Sequence, residues 1–191
     1  MKNDLINRIQ SGNAIIGVVG IGYVGLPLAL RFAETGFKVI GFDVDAAKAE
    51  TIASRQSYFS HIGHERIGQA VDNGFVVTAD MAMSGKVDAI IICVPTPLGK
   101  HQEPDLSFVT GTMDALVPYL RKGQLISLES TTYPGTTEEE IVPRIQARGL
   151  IVGEDVFVVY SPEREDPGNK SFNTQTIPKV VGGQSEACLA V

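Results

Sequence analysis

Short apolar runs alternate with longer stretches of helical periodicity along most of this chain. Ala14–Val19 (AIIGVV), Lys38–Phe42, Phe75–Thr78, Ala89–Val94 and Leu125–Leu128 read as strands. Their near-continuous Ile and Val content is that of strands buried on both faces. Between them, Tyr23–Thr35, Ala46–Ser54, Glu65–Asn73, Leu106–Tyr119 and Thr137–Ala147 carry the helical period. Val156–Tyr160 and a stretch around Lys179–Val181 continue the strand series. Such alternation predicts βαβ units with right-handed crossovers. The expected fold class is therefore α/β, a doubly wound parallel sheet with helices on both faces. Leu5, Ile6 and Ile9 line up as one stripe of a short helix ahead of the first strand. At Cys188–Val191 the pattern enters another helix with no stop signal, so residues 1–191 are expected to form one domain of a longer protein.

Composition narrows the picture by exclusion. A net charge of −6, with no block of five or more Lys/Arg, lacks the concentrated basic face that nucleic acid requires. Met1–Gln10 contains Asp4 and Asn7 and no continuous apolar run, so neither a secretory signal nor a membrane span is expected there. Cys93 and Cys188 are too far apart to form a framework, which fits a reducing, cytoplasmic setting. His61-Ile62-Gly63-His64-Glu65 has ligand-type residues in an order that matches no metalloprotease helix, and no metal site is expected. His101 reads as a solvated loop residue.

The chemistry begins where the first strand runs into Gly20-Ile21-Gly22-Tyr23-Val24-Gly25. Gly20 permits a tight turn, Gly22 lets the backbone approach a pyrophosphate, and Gly25 lets the following helix press against the strand. The helix start then offers unpaired N–H groups to the phosphates, so an acidic chain needs no basic patch to hold an anion. The second strand ends in Asp43, 18 residues after Gly25, where a carboxylate accepts hydrogen bonds from ribose hydroxyls and repels a 2′-phosphate. Gly20, Gly22, Tyr23, Val24, Gly25 and Asp43 thus define a dinucleotide site of the Rossmann type, with NAD expected rather than NADP. Asp45 reads as the cap of the next helix.

Three further segments fall just beyond strand ends: Cys93-Val94-Pro95-Thr96-Pro97, Ser130-Thr131-Thr132-Tyr133-Pro134-Gly135-Thr136-Thr137, and Ser161-Pro162-Glu163-Arg164-Glu165-Asp166-Pro167-Gly168. Together with the glycine loop they resemble, in order and over nearly the whole chain, the nucleotide-sugar 6-dehydrogenase family. That resemblance implies oxidation of a sugar C6 alcohol to a carboxylate with two NAD, through an aldehyde trapped on a cysteine and a thioester that is then hydrolysed. It implies that Pro95 and Thr96 border the cofactor, that Thr131 positions water and a substrate oxygen, and that Glu163 takes part in thioester hydrolysis. Plain readings stand beside these: Thr136 or Thr137 as a helix cap, and Glu163 as a solvated loop carboxylate.

The Ser-Pro-Glu-Arg form is similar to the branch acting on N-acetylated sugars, which feeds surface polysaccharide. UDP-N-acetylglucosamine is the expected partner, with UDP-N-acetylgalactosamine, UDP-N-acetylmannosamine and UDP-glucose as alternatives. The full-length protein is expected to be a homo-oligomer. The family's nucleophilic cysteine belongs to a second domain, so this chain alone is expected to bind NAD without turnover. A non-catalytic NAD-sensing module would carry an effector segment, and a 2-hydroxyacid dehydrogenase would carry a catalytic His or Lys on a helix. Neither is found in the sequence.

Overall fold

The computed structural model describes residues 1–100, 102–162 and 178–191. Helix α1 (Lys2–Gln10) precedes strand β1 (Ile15–Val19). The chain continues through α2 (Gly25–Glu34), β2 (Lys38–Phe42), α3 (Ala46–Ala53), α4 (His64–Asp72), β3 (Val76–Thr78) and β4 (Ala89–Ile92). It ends with α5 (Ser107–Leu116), β5 (Gln124–Leu128), α6 (Val142–Ala147), β6 (Val156–Tyr160), β7 (Gly182–Gly183) and α7 (Glu186–Leu189). The strands form one sheet in the order β3-β2-β1-β4-β5-β6-β7. β1 to β6 are parallel, with registers such as Val18 opposite Gly41 and Ile91.

Alternation along each strand divides the apolar residues between two faces. Ile91 packs with Ile16, Val18, Leu26, Leu30 and Ile67 on one side. Ile90 and Ile92 pack with Val109, Met113, Ile141 and Ile145 on the other. The α/β reading therefore holds, helices covering both faces. β1 sits between β2 and β4, and the chain leaves the sheet in opposite directions on either side of it, so a crevice opens at the carboxyl ends of β1 and β4.

Several expectations need correction. The strand expected at Lys179–Val181 forms instead at Gly182–Gly183, antiparallel to β6. Val180 and Val181 are exposed, whereas a side chain on Gly183 would meet the Leu189 backbone nitrogen at 2.4 Å. Only glycine lets α7 lie that close. The helix expected over Leu106–Tyr119 tightens to 3₁₀ geometry at Val117–Tyr119, where Pro118 supplies no N–H. The one expected over Thr137–Ala147 opens with a π turn at Thr137–Ile141 before α6. Pro143 cannot donate to the Glu139 carbonyl, and the Glu140 carbonyl accepts the Arg144 Nη1 at 2.7 Å. Thr136 does not cap this helix: its hydroxyl donates to the Tyr133 carbonyl at 2.8 Å.

The amino ends of the strands carry a polar anchor. Asp88, just before β4, is buried. Its Oδ2 accepts from the Ile15 N–H at 2.8 Å and from Arg8 at 2.7 Å, and its Oδ1 accepts from Arg121 at 2.8 Å. Gln124 at the start of β5 is likewise buried, donating to the carbonyls of Ser84 and Val87. α1 docks beside this rim through Leu5, which packs with Phe157, Val159 and Cys188.

Candidate functional site

The turn after β1 is built by close backbone contacts. The Gly20 N–H donates to the Phe42 carbonyl at 2.8 Å. Gly20 has φ +86°, and a Cβ there would lie 2.7 Å from the Cys93 carbonyl oxygen. A Cβ on Gly25 would lie 1.9 Å from the Gly20 carbonyl oxygen, so the first turn of α2 presses directly on the loop. Gly22 differs: nothing stands within 4 Å of its would-be Cβ. The N–H groups of Gly22, Val24 and Gly25 donate to no atom of the described residues. A helix start with free donors above an unfilled glycine surface is suited to an anion.

Asp43, at the end of β2, is buried and well supplied with donors. Its Oδ2 accepts from the Ile21 N–H at 2.9 Å and from Lys48 Nζ at 2.7 Å, and its Oδ1 accepts from the Asp45 N–H at 3.0 Å. A carboxylate has about four acceptor positions, so one remains for a ligand hydroxyl. Asp45 caps α3 as the sequence indicates, accepting from the Ala47 N–H at 3.0 Å. Lys48, on the first turns of α3, was not singled out in the sequence. Its pairing with Asp43 arises only when the turn after β2 folds the helix back on the strand end.

The opposite wall follows β4 and β5. Ser130 donates to the Val94 carbonyl at 2.7 Å and so ties the two strand ends together. Glu129 is buried between Ser127 and Lys179, which forms an ion pair with it. Between the walls lies a cleft of about 470 Å³. Gly20, Gly22, Tyr23, Val24, Asp43, Pro95, Thr96 and Thr131 all line it, and Gly25 braces the loop from behind. Lys48, Phe108, Thr112 and Glu129 also line it and were missed. Phe108 and Thr112 lie on α5, where an apolar and a hydroxyl residue gave no sign of a ligand. Glu163 lies outside the described residues, as does His101. Cys93 lines the cleft floor and Cys188 is buried under β6. His61 stacks on Tyr23, with ring centroids 5.2 Å apart, and His64 Nδ1 accepts from the Ser57 N–H at 2.9 Å.

A switch-point cleft with a glycine cradle on one wall and a strand-end carboxylate beside it defines a Rossmann-type dinucleotide-binding domain. Sequence comparison gives the particular family. The chain belongs to the UDP-glucose/GDP-mannose dehydrogenase family, whose NAD binding domain matches residues 14–191. Protein CapL of Staphylococcus aureus is 38% identical over 180 residues, 94% of this chain and 42% of that protein. UDP-N-acetyl-D-glucosamine 6-dehydrogenase of Pseudomonas aeruginosa is 35% identical over 171 residues, 89% of this chain and 40% of that protein. The native structure of the UDP-N-acetyl-mannosamine dehydrogenase Cap5O from S. aureus superposes with a TM-score of 0.83 at 31% identity, covering 92% of this chain and 43% of that one. The chain thus spans about two fifths of the length of the curated relatives it matches.

The residues present fit NAD. The open surface at Gly22 leaves room for a pyrophosphate, and the remaining acceptor position on Asp43 suits a ribose hydroxyl. A 2′-phosphate at that place would meet the Asp43 carboxylate.

Proposed function

We propose that this chain is the NAD-holding part of a UDP-N-acetyl-D-glucosamine 6-dehydrogenase. The enzyme oxidises the sugar C6 alcohol to a carboxylate with two NAD, in the cytoplasm, for surface polysaccharide. The observation that carries this reading is the cleft itself, where a glycine cradle with free donors lies beside the Asp43 carboxylate. NAD, when bound, takes up the hydride lost from the sugar carbon. Gly20, Gly22, Tyr23, Val24 and Gly25 seat the pyrophosphate, Asp43 receives a ribose hydroxyl, and Pro95 and Thr96 border the cofactor. Thr131, on the same wall, positions water and a substrate oxygen, and Glu163 serves thioester hydrolysis.

The choice of sugar rests on the Ser161-Pro162-Glu163-Arg164 form and on the name of the P. aeruginosa relative. UDP-N-acetylmannosamine is the second reading, favoured by the likeness to Cap5O.

Titration calorimetry of this chain with NAD and NADP tests the proposal. NAD binding is expected, with NADP silent. Asp43→Ala is expected to weaken NAD about tenfold to a hundredfold, the effect of losing a charged hydrogen-bond acceptor. Adding UDP-N-acetylglucosamine to the NAD-loaded chain is expected to give no NADH. Most of the UDP-sugar pocket and the nucleophilic cysteine belong to the family's second domain, so the sugar carbon is not held against the cofactor even for the first hydride transfer. NADP binding as tight as NAD would overturn the cofactor assignment. NADH formation by this chain alone would overturn the division of labour.

A further inference from the structure

Residues 57–61, between α3 and α4, return to the phosphate loop from its outer side. The Tyr58 hydroxyl donates to the Ile21 carbonyl at 2.6 Å, while the Ile21 N–H donates to Asp43 at 2.9 Å. The Ile21 side chain is fully buried against Gly41, where a Cβ would approach it to 2.8 Å. Ile21 is therefore gripped through its N–H, its side chain and its carbonyl. Burial, and then the nearby Asp43 and Asp45 carboxylates, push the Tyr58 hydroxyl above the ordinary tyrosine range, so it stays a protonated donor.

The direction of that hydrogen bond has a consequence one atom further along. In a trans peptide the carbonyl and the following N–H point in opposite directions, and the described chain contains no cis peptide. A carbonyl drawn outward to Tyr58 turns the Gly22 N–H away from Tyr58. Gly22 lines the cleft, and its N–H donates to nothing among the described residues.

We infer that Tyr58 is a positioning residue for the cofactor: by fixing the plane of the Ile21–Gly22 peptide, it aims the Gly22 N–H at the pyrophosphate of the bound dinucleotide. This rests on the NAD reading proposed above. The segment that carries Tyr58 is itself held at both ends. The Ser57 N–H donates to His64 Nδ1 at 2.9 Å. The Phe59 ring packs edge-on against Tyr23, with centroids 5.7 Å apart, and His61 packs on the same ring at 5.2 Å. Tyr58 thus delivers its hydroxyl from a fixed support, and the loop starts in its binding geometry rather than reaching it on contact with the ligand.

The test is Tyr58→Phe in the whole 191-residue chain, which keeps the ring and removes the hydroxyl. Three quantities are read: the melting temperature without ligand, the NAD affinity by calorimetry, and the exchange rate of the Gly22 amide by NMR on the 15N-labelled chain. The expected result is a melting temperature close to that of the unchanged chain, NAD affinity about fivefold to tenfold weaker, and a measurably altered Gly22 amide. Unchanged affinity and an unchanged Gly22 amide would overturn the inference. So would an affinity loss matched by a large fall in melting temperature, because Tyr58 would then act only through overall stability. If the unchanged chain binds no NAD, the cofactor reading fails separately, and the Gly22 amide still decides whether Tyr58 sets the peptide plane.

Discussion

Gly22 and Gly25 stand three residues apart in one loop, and the structure makes opposite demands of them. A methyl group on Gly22 meets nothing within 4 Å, whereas one on Gly25 would overlap the Gly20 carbonyl oxygen at 1.9 Å. Gly22→Ala is therefore expected to fold with a melting temperature near that of the unchanged chain while losing NAD binding, because the methyl fills the pyrophosphate seat. Gly25→Ala is expected to lose both, because helix and loop must separate. Thermal melting paired with calorimetric titration reads the contrast directly. The spacing of the glycines was legible in the sequence, and so was Asp43. What was hidden at this scale were side chains whose partners come from elsewhere: Lys48 on Asp43, Tyr58 on the Ile21 carbonyl, Lys179 on Glu129. Nothing in the local pattern of a lysine or tyrosine announces a contact made across a turn or between strands.

Elements were readable wherever apolar periodicity defined them and unreadable wherever backbone contacts did. β1, β2, β4, β5 and β6 are buried runs and lie within two residues of their expected bounds. β7 is two glycines with no apolar signature, formed because α7 must approach closely. The π turn before α6 follows from Pro143, whose missing N–H disturbs the ladder one turn earlier. Asp88 belongs to this scale, since it joins α1, β1 and the entry to β5 through Arg8, Ile15 and Arg121.

Burial pushes the Asp88 carboxyl upward. The Ile15 N–H and the Arg121 and Arg8 guanidiniums outweigh burial and hold it below the usual carboxylate range. A depressed pKa stabilises the fold above the unfolded carboxylate value, about pH 4, and that stability is lost as pH falls through the folded value. Melting curves recorded from neutral pH into acid are expected to show Asp88→Asn less stable near neutrality. The gap to the unchanged chain should close below about pH 4.

At the scale of the whole molecule, the family match begins at residue 14, yet the core does not. Leu5 of α1 is fully buried against Phe157, Val159 and Cys188, so the first helix closes one end of the sheet. Leu5→Ala is expected to cost about 2–4 kcal/mol, seen as a lower denaturant midpoint at unchanged slope. The NAD titration of this variant should match the unchanged chain wherever it remains folded. No helix among the described residues is long and apolar enough to cross a membrane.

The anchor at Asp88 and the cradle at Gly22 sit at opposite ends of β1, a strand of five residues. At roughly 3.3 Å per residue, about 16 Å of extended backbone separates the two rims. Groups that far apart and without shared partners contribute independently, so substitutions at one rim leave the other's energetics in place. The strand's length thus acts as insulation: the ligand-facing rim can diverge towards new specificities while the opposite rim keeps the sheet assembled.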